Sequence, residues 1–270
     1  MLISLVNTME EIEIRECVAI DELDSCIRLQ REVFRLPEAE VSPRRHFIVS
    51  HEAGGWTLGA FANERLVGFV HHLAAVRGDD EIFGYSHVMA VDPSYQNQGI
   101  GARLKWSQRA RAMSEGRSFI KWTWDPLQAR NAYFNLNRLG VTVSSYAENF
   151  YGTDYATDPT LTGAAPPGID SDRLFADWQL NWRRVADLEN GVLAFETVPV
   201  KEDGVIDIPA NWTKLCREDP SEARRQQLRV RSEFQQAFAS GCVAAAFERS
   251  TEKPRYLLYQ KEALQNLGMV

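Results

Sequence analysis

Val91-Asp92-Pro93-Ser94-Tyr95-Gln96-Asn97-Gln98-Gly99-Ile100-Gly101-Ala102-Arg103-Leu104 decides how this chain is organised. Before it, apolar residues fall in strand-like runs; after it, they recur at helical spacing. Asp92-Pro93 stops a strand, because proline has no N–H to give to a ladder. A glycine pair, Gly99 and Gly101, then opens a helix. The first backbone N–H groups of a helix have no partner inside it, so this strand–turn–helix offers several donors to an anion. Glycine allows close backbone approach and unusual dihedrals there, and Arg103 adds charge nearby. Two common phosphate loops do not fit. The dinucleotide fingerprint needs a third glycine where Arg103 and Leu104 stand, and no Gly-Lys-Ser/Thr is present.

Toward the N-terminus, Glu11 to Val18 alternates as a strand, and Asp21 to Phe34 has helical spacing with Asp21 as its expected N-cap. Leu23, Ile27, Val33 and Phe34 lie near one face of that helix, and Pro37 and Pro43 punctuate the stretch after it. Trp56 to Ala62 and Leu66 to Val76 flank Asn63-Glu64-Arg65 as a hairpin, and Ile82 to Val91 forms the next strand. Downstream, Gly99 to Ser114 predicts a helix with Ala102, Trp106, Ala110 and Met113 as its apolar stripe and Arg103, Arg109 and Arg111 pointing elsewhere. Phe119 to Trp124 is a short strand, Ala129 to Leu139 a helix closed by Gly140, and Thr142 to Tyr146 and Arg173 to Leu180 two further strands. Residues 151–170 lack periodicity; a loop that long is a functional lid or a disordered segment. Past Arg184 the pattern restarts: strands at Gly191 to Val198, Val205 to Ile208, Cys242 to Glu248 and Arg255 to Tyr259, and a helix from Pro220 to Ser240 capped by Asp219. This tail has no glycine-rich loop or acid/base cluster and reads as a packing or dimerising extension.

The 270 residues are 44% hydrophobic and 25% charged, as expected of a globular chain with a substantial core. A formal charge of -7 argues against nucleic acid as the main partner. No apolar run approaches the ~18 residues that span a bilayer, and the opening fifteen residues lack a secretory pattern. Cys17, Cys26, Cys216 and Cys242 form no CxxC pair and read as buried thiols in a reducing cytoplasm. His71 and His72 are adjacent, so on a strand they face opposite ways and cannot share an ion. No metal is expected.

Gln96, Gly99 and Gly101, placed straight after Met89 and Val91, resemble the acyl-CoA signature of the GNAT acyltransferase superfamily. Arg130-Asn131-Ala132-Tyr133, closing at Arg138-Leu139-Gly140-Val141, resembles that family's second cofactor element. The resemblance covers roughly residues 11 to 182. It implies a GNAT-like catalytic domain over 1–182 and an unmatched α+β extension over 183–270. The fold class it implies is α/β (α+β), with a mixed, mostly antiparallel sheet flanked by helices. A pantetheine arm would run beside Met89 and Val91, and the pyrophosphate would sit on amides from Gln98 to Ala102. The cofactor-binding set is then Met89, Val91, Gln96, Asn97, Gln98, Gly99, Ile100, Gly101, Ala102 and Asn131.

Simple alternation puts Tyr85, His87, Met89 and Val91 on one face of the strand. Relatives often carry a carboxylate base on this strand, but none lies between Phe83 and Val91 here. His87 is the substitute, since an imidazole titrating near ~6.5 can take a proton from an acceptor ammonium; the alternative is a half-buried strand histidine. Where the family often has a tyrosine acid, this chain has Leu136, so Tyr133 is the candidate for protonating the thiolate, or else a core aromatic. Asp125 reads as a cap rather than an acceptor ligand. Lys121 and Arg130 are candidates to grip a carboxylate, and Trp122, Trp124 and Trp178 line a pocket or the core. Tyr85-Ser86-His87, residues 129–152 and the long extension resemble a subgroup of mostly predicted acyltransferases, some of which acylate free amino acids, including from succinyl-CoA. The resemblance therefore implies a cytoplasmic N-acyltransferase moving acetyl or succinyl from acyl-CoA to a small amine or amino acid by direct transfer in a ternary complex. Neither nucleic acid nor a membrane is expected as partner, and a homodimer is allowed. Two other readings stand beside it: a catalytically weak CoA-binding regulatory module, and an acyl-enzyme on Cys17 or Cys26.

Overall fold

Alternating apolar residues and tight polar turns build an antiparallel meander, and helical segments then cover both its faces. The computed structural model describes residues 11–78, 81–153, 169–192 and 200–266. The elements are β1 (Ile12–Glu16), α1 (Ile20–Phe34), α2 (Arg44–Glu52), β2 (Trp56–Ala62), β3 (Arg65–Arg77), β4 (Glu81–Val91), α3 (Ile100–Ser114), β5 (Phe119–Trp124) and α4 (Ala129–Tyr133). α4 continues into a π-helical turn, Phe134–Arg138. Next come β6 (Tyr146–Ala147), β7 (Arg173–Gln179), α5 (Arg183–Glu189), β8 (Gly204–Asp207), α6 (Trp212–Glu218), α7 (Pro220–Ala239), β9 (Cys242–Glu248), β10 (Arg255–Gln260) and α8 (Lys261–Asn266).

Seven strands form the main sheet in the order β1-β2-β3-β4-β5-β7-β6, and β8-β10-β9 form a second. All main-sheet pairings are antiparallel except β4–β5, which is parallel and joined only at Gly84–Ile120 and Tyr85–Lys121. Beyond Tyr85 the two strands part, and β4 continues toward Val91 with β3 alone. Among the described residues no helix is long and apolar enough to cross a membrane.

Several expectations are corrected. Ala19, not Asp21, is the N-cap of α1; the Glu22 carboxylate accepts from the N–H groups of Val18 and Ala19 at 2.9 and 3.0 Å and does the capping from inside the first turn. α2, α5, α6 and α8 are additional helices. Of Thr142 to Tyr146, only Tyr146 belongs to a strand, while Thr142 and Val143 make single bridges to Asp177 and Ala244. The strand expected at 191–198 and most of the long loop fall on residues 193–199 and 154–168, outside the described residues.

The apolar stripe of α3 is also different. Ala110 is exposed and Met113 is 37% exposed, whereas Ile100, Leu104, Lys105, Gln108, Arg109 and Ala112 are buried. Arg109 points inward, donating to the Leu180 carbonyl at 2.9 Å and pairing with Glu189.

One apolar cluster runs from Trp56 and Leu104 through Trp178 to Phe234 and Tyr256, so the tail shares the core of the main sheet. Tyr256 Oη donates to the Pro126 carbonyl at 2.8 Å, and buried Arg184 donates to the carbonyls of Leu136 and Ala245 at 3.2 and 2.7 Å. A second cluster lies on the opposite face, where α1 and α2 pack Leu23, Ile27 and Phe47 over Phe61, Phe69 and Ala90.

Candidate active site

The turn after β4 is held from below. The Asp92 carboxylate accepts from the Ser94 N–H at 2.9 Å and pairs with Arg65. The Ser94 hydroxyl first, and then Arg65, hold it below its usual range against the opposing effect of burial. Asn97 (φ 62°) and Gly99 (φ 83°) take left-handed conformations that bend the chain into α3. No side chain caps α3, so the amides of its first turn point outward without an intrahelical partner. The Gln96 amide donates to the Val91 carbonyl at 2.9 Å and accepts from Arg130 at 2.8 Å, stapling the strand end to the start of α4. Gln98 donates to the Ser94 carbonyl at 3.0 Å. The side chain of Ile100 is buried core, leaving only its backbone for a ligand; Asn131 is exposed.

The two glycines are needed for different reasons. A Cβ on Gly99 would meet nothing within 4 Å, so only its positive φ demands glycine. A Cβ on Gly101 would stand 3.8 Å from Met89 Cε and 4.0 Å from Val91 Cγ2 and Phe134 Cζ, in ordinary contact. Gly99→Ala should therefore cost about 1 kcal/mol of stability. Gly101→Ala should leave the melting temperature nearly unchanged while, at the CoA site that the resemblance implies, the added methyl beside Met89 and Val91 should weaken CoA binding. Parallel melts and CoA titrations of both variants check this; equal loss of stability in the two would refute it.

Alternation along β4 is broken. His71 stands opposite Val88 and His72 opposite Ser86, so His87 has no counterpart on β3 and is a bulge. The extra residue flips the strand. Ser86, Met89 and Val91 face α3, while Val88 and Ala90 face α1 and α2. The expected shared face is thus corrected: Tyr85 and His87 point away from α3, and Met89 and Val91 point toward it.

On the face turned from α3, His87 Nε2 lies 3.0 Å from Ser42 Oγ, in the segment leading into α2, and its ring centroid is 4.8 Å from that of His46. The residue keeps an exposed edge. Its crowded inner edge and the neighbouring His46 push its pKa down to about 4, leaving it neutral at pH 7. Behind it, fully buried His71 is bound by Thr57 at 2.8 Å and Ser50 at 2.9 Å, which fixes α2 to the sheet. Tyr85 lies beside Thr123 and Tyr151, and burial raises its phenol to about 12. Thr123 and Tyr151 are 3.3 Å apart. Hydroxyls of β4, β5 and the segment after β6 therefore gather where the strands part. Ser42, Thr123 and Tyr151 carry no periodic or motif signal in the sequence; only the tertiary fold brings them here.

Tyr133 ends α4 with the Arg249 guanidinium 4.3 Å over its ring, and Leu136 is wholly buried in the core. The Asp125 carboxylate accepts from the Leu127 N–H at 2.8 Å within the turn before α4, whose own N-cap is Gln128. Lys121 stands opposite Asp177 with its ammonium 4.6 Å over the Phe175 ring. Trp122, Trp124 and Trp178 are core. Cys17 and Cys26, the latter on the inner face of α1, are fully buried, and the neighbouring Cys17 and burial push the Cys26 thiol up. Such a pair is a poor nucleophile, so the acyl-enzyme reading loses its candidates.

On the α3 side of the parting strands lies a group that periodicity assigned to no role. Lys105 is 2% exposed. Its Nζ donates to Ser86 Oγ at 3.1 Å and Gln108 Oε1 at 2.7 Å and stands 3.6 Å over the Trp122 ring. Burial lowers its pKa well below the lysine range, which favours the neutral amine in the folded chain. Because the folded value is the lower one, stability must rise with pH between it and the unfolded lysine value near ~10.4. Lys105→Met should raise the melting temperature at pH 7 and flatten that slope, as melts from pH 6 to 9 would show. A lower melting temperature at pH 7 would contradict it.

Residues 21–135 match the model of the acetyltransferase (GNAT) family, and the chain carries a domain of that family. No curated protein matches the chain. Among solved structures, the ribosomal-protein-S18-alanine N-acetyltransferase of Escherichia coli is 14% identical, with 63% of this chain and 94% of that one covered and a TM-score of 0.49. A GNAT family acetyltransferase from Elizabethkingia anophelis with acetyl-CoA bound is 18% identical over 62% and 97% of the two chains, with a TM-score of 0.45. The PaiA N-acetyltransferase of Thermoplasma acidophilum, in complex with coenzyme A, is 18% identical over 63% and 99%, with a TM-score of 0.43.

Proposed function

We propose that the chain transfers an acyl group, acetyl or succinyl, from its CoA thioester to the amine of a small molecule such as an amino acid, directly in a ternary complex in the cytoplasm. One observation carries the reading. β4, released from β5 after Tyr85, runs straight into the uncapped N-terminus of α3 through Gly99 at φ 83°. The amides of Gln98 to Ala102 would receive the pyrophosphate. The pantetheine arm would lie along Met89 to Val91, on the strand edge that β5 has left. An N–H between Val88 and Ala90 would polarise the thioester carbonyl. The acceptor would approach from the opposite face, past Tyr85 and His87. In the tautomer whose Nε2–H donates to Ser42, His87 would present Nδ1 as the base. The amine nitrogen bonds to the carbonyl carbon, its proton passes to His87 directly or through Tyr85, and the C–S bond breaks. The thiolate leaves toward Tyr133 for its proton; with a thiol pKa near ~8.5 it is a tolerable leaving group unaided.

Incubation with acetyl-CoA and succinyl-CoA over a panel of amino acids, read as free thiol, tests this. Amine-dependent thiol release supports it. The absence of a carboxylate on β4 between Phe83 and Val91 favours a second reading, a regulatory CoA-binding module. Calorimetric CoA binding without turnover on any amine would select that one.

A further inference from the structure

The Lys105 amine stands at the apex of the cleft between β4 and β5. The last β4–β5 pair is Tyr85–Lys121, and the next residue on each strand, Ser86 and Trp122, is the one that touches Nζ. The amine thus closes the cleft where the strands begin to part, from the side of α3 that carries the anion-binding turn. Among the described residues it has no carboxylate partner; its hydrogen-bond partners are the Ser86 hydroxyl and the Gln108 amide. Indole faces of Trp122 and Trp178 lie 3.6 and 5.3 Å away, and such faces favour an ammonium. Gln108 leads on to His72 Nδ1 at 3.2 Å, and His72 Nε2 accepts from Arg117 at 2.9 Å, so the carboxylate on this side, Glu115, is already taken by Arg117. A buried amine of this kind lowers stability, yet a methionine would fill the same space. What the surroundings lack is an anion.

Resting on the acyl-CoA reading above, we infer that Lys105, with Ser86, receives a carboxylate at the far end of the acyl group and so selects acyl donors derived from dicarboxylic acids. The direction of the strand sets the geometry. An arm that starts at the α3 turn and runs back along Val91 and Met89 carries its thioester to the level of Val88, and an acyl chain continuing the same way meets Ser86 and Lys105. Each strand residue advances ~3.3 Å, so an acyl chain of about four carbons spans the step from Val88 to Ser86. On binding, Nζ takes up a proton and gives a charge-assisted hydrogen bond to the carboxylate, while both indoles support the ammonium. An acyl group without an end charge leaves the amine neutral.

The test is calorimetric, without acceptor, using acetyl-CoA, butyryl-CoA and succinyl-CoA at pH 7.5 in two buffers of different protonation heat. Butyryl-CoA matches succinyl-CoA in carbon number but has no end charge. The wild-type protein should bind succinyl-CoA ~10-fold or more tightly than butyryl-CoA and take up about one proton with succinyl-CoA alone. Lys105→Met should lose both the preference and the proton uptake, with acetyl-CoA as the internal reference in each protein. Ser86→Ala, which keeps the amine, should retain the proton uptake with a weakened preference. Equal affinity for the two four-carbon esters in the wild type, or a preference that survives in Lys105→Met, overturns the inference while leaving the acyl-CoA reading intact. Failure of every CoA ester to bind overturns both.

Discussion

His87→Ala is expected to lower kcat by ~10²-fold or more at neutral pH, the usual worth of a positioned general base, while CoA binding measured by calorimetry stays within a few-fold. The separation follows from the bulge, which turns His87 away from α3 and the anion-binding turn. The pH profile supplies a second check. Because burial of its inner edge and the neighbouring His46 hold the pKa of His87 near 4, it remains neutral from pH 8 down past pH 5. An acid limb of kcat/KM in that range must then come from the acceptor ammonium and should move when the acceptor amine is changed. Ser42→Ala should cost less than His87→Ala, since it removes only the hydrogen bond that orients the ring. A fall of less than a few-fold in His87→Ala would remove the histidine from the mechanism.

Arg231→Leu should be the most damaging single change to stability. From α7, Arg231 binds both oxygens of Asp172, at 2.8 and 2.9 Å, and also pairs with Asp170 and Glu148. Asp172 has only 1% of its side chain exposed and also accepts from Tyr146 at 2.6 Å and the Asn149 N–H at 2.9 Å. Removing one partner strands a buried carboxylate, which costs ~3–5 kcal/mol and corresponds to a fall in melting temperature on the order of 10 °C. Substituting Asp172 and Arg231 together by apolar residues should recover part of that loss. The pH dependence has a defined sign. Burial would raise Asp170, but hydrogen bonds from Arg231 and Arg224 outweigh it and hold its pKa low, so its contribution is complete above about pH 4 and lost as pH falls through the folded value. Because Asn149, Asp170 and Asp172 sit at the two stems of the segment that carries Tyr151, the same variant should raise KM for the acceptor more than it weakens CoA binding. A loss below about 1 kcal/mol in urea unfolding would show that the cluster is not the tie it looks to be.

Strands with hard stops were plain in the sequence. Trp56–Ala62, Phe119–Trp124 and Cys242–Glu248 begin and end where apolar residues meet turn chemistry, and the structure places them at the same residues. The long helix after Asp219 was equally plain, with the carboxylate accepting from the Glu222 N–H at 2.9 Å. α2 was not, because Arg44-Arg45-His46 opens it with polar residues and its buried positions are only Phe47 and Ser50. The inward face of α3 was misread for a related reason. Ile100, Leu104, Gln108 and Ala112 keep helical spacing, but Gln108 breaks the apolar run and Lys105 is buried beside it, so the exposed side looked greasier than the core side. Within the candidate site, Tyr85, His87 and the glycine turn could be found from position alone. Their partners could not, since Ser42 and Tyr151 lie far from His87 and Tyr85 along the chain. The bulge is likewise a relation between two strands, with no mark in the composition of either.

That one inserted residue divides β4 into two lengths out of phase. Tyr85, His87, Met89 and Val91 are all odd-numbered, yet the first two are turned from α3 and the last two face it. On the proposed function, acceptor range and donor range can drift separately in this strand, by substitutions only two residues apart. Deleting His87 or Val88 would remove the bulge and restore strict alternation, with Tyr85 still turned from α3 and Met89 and Val91 still facing it.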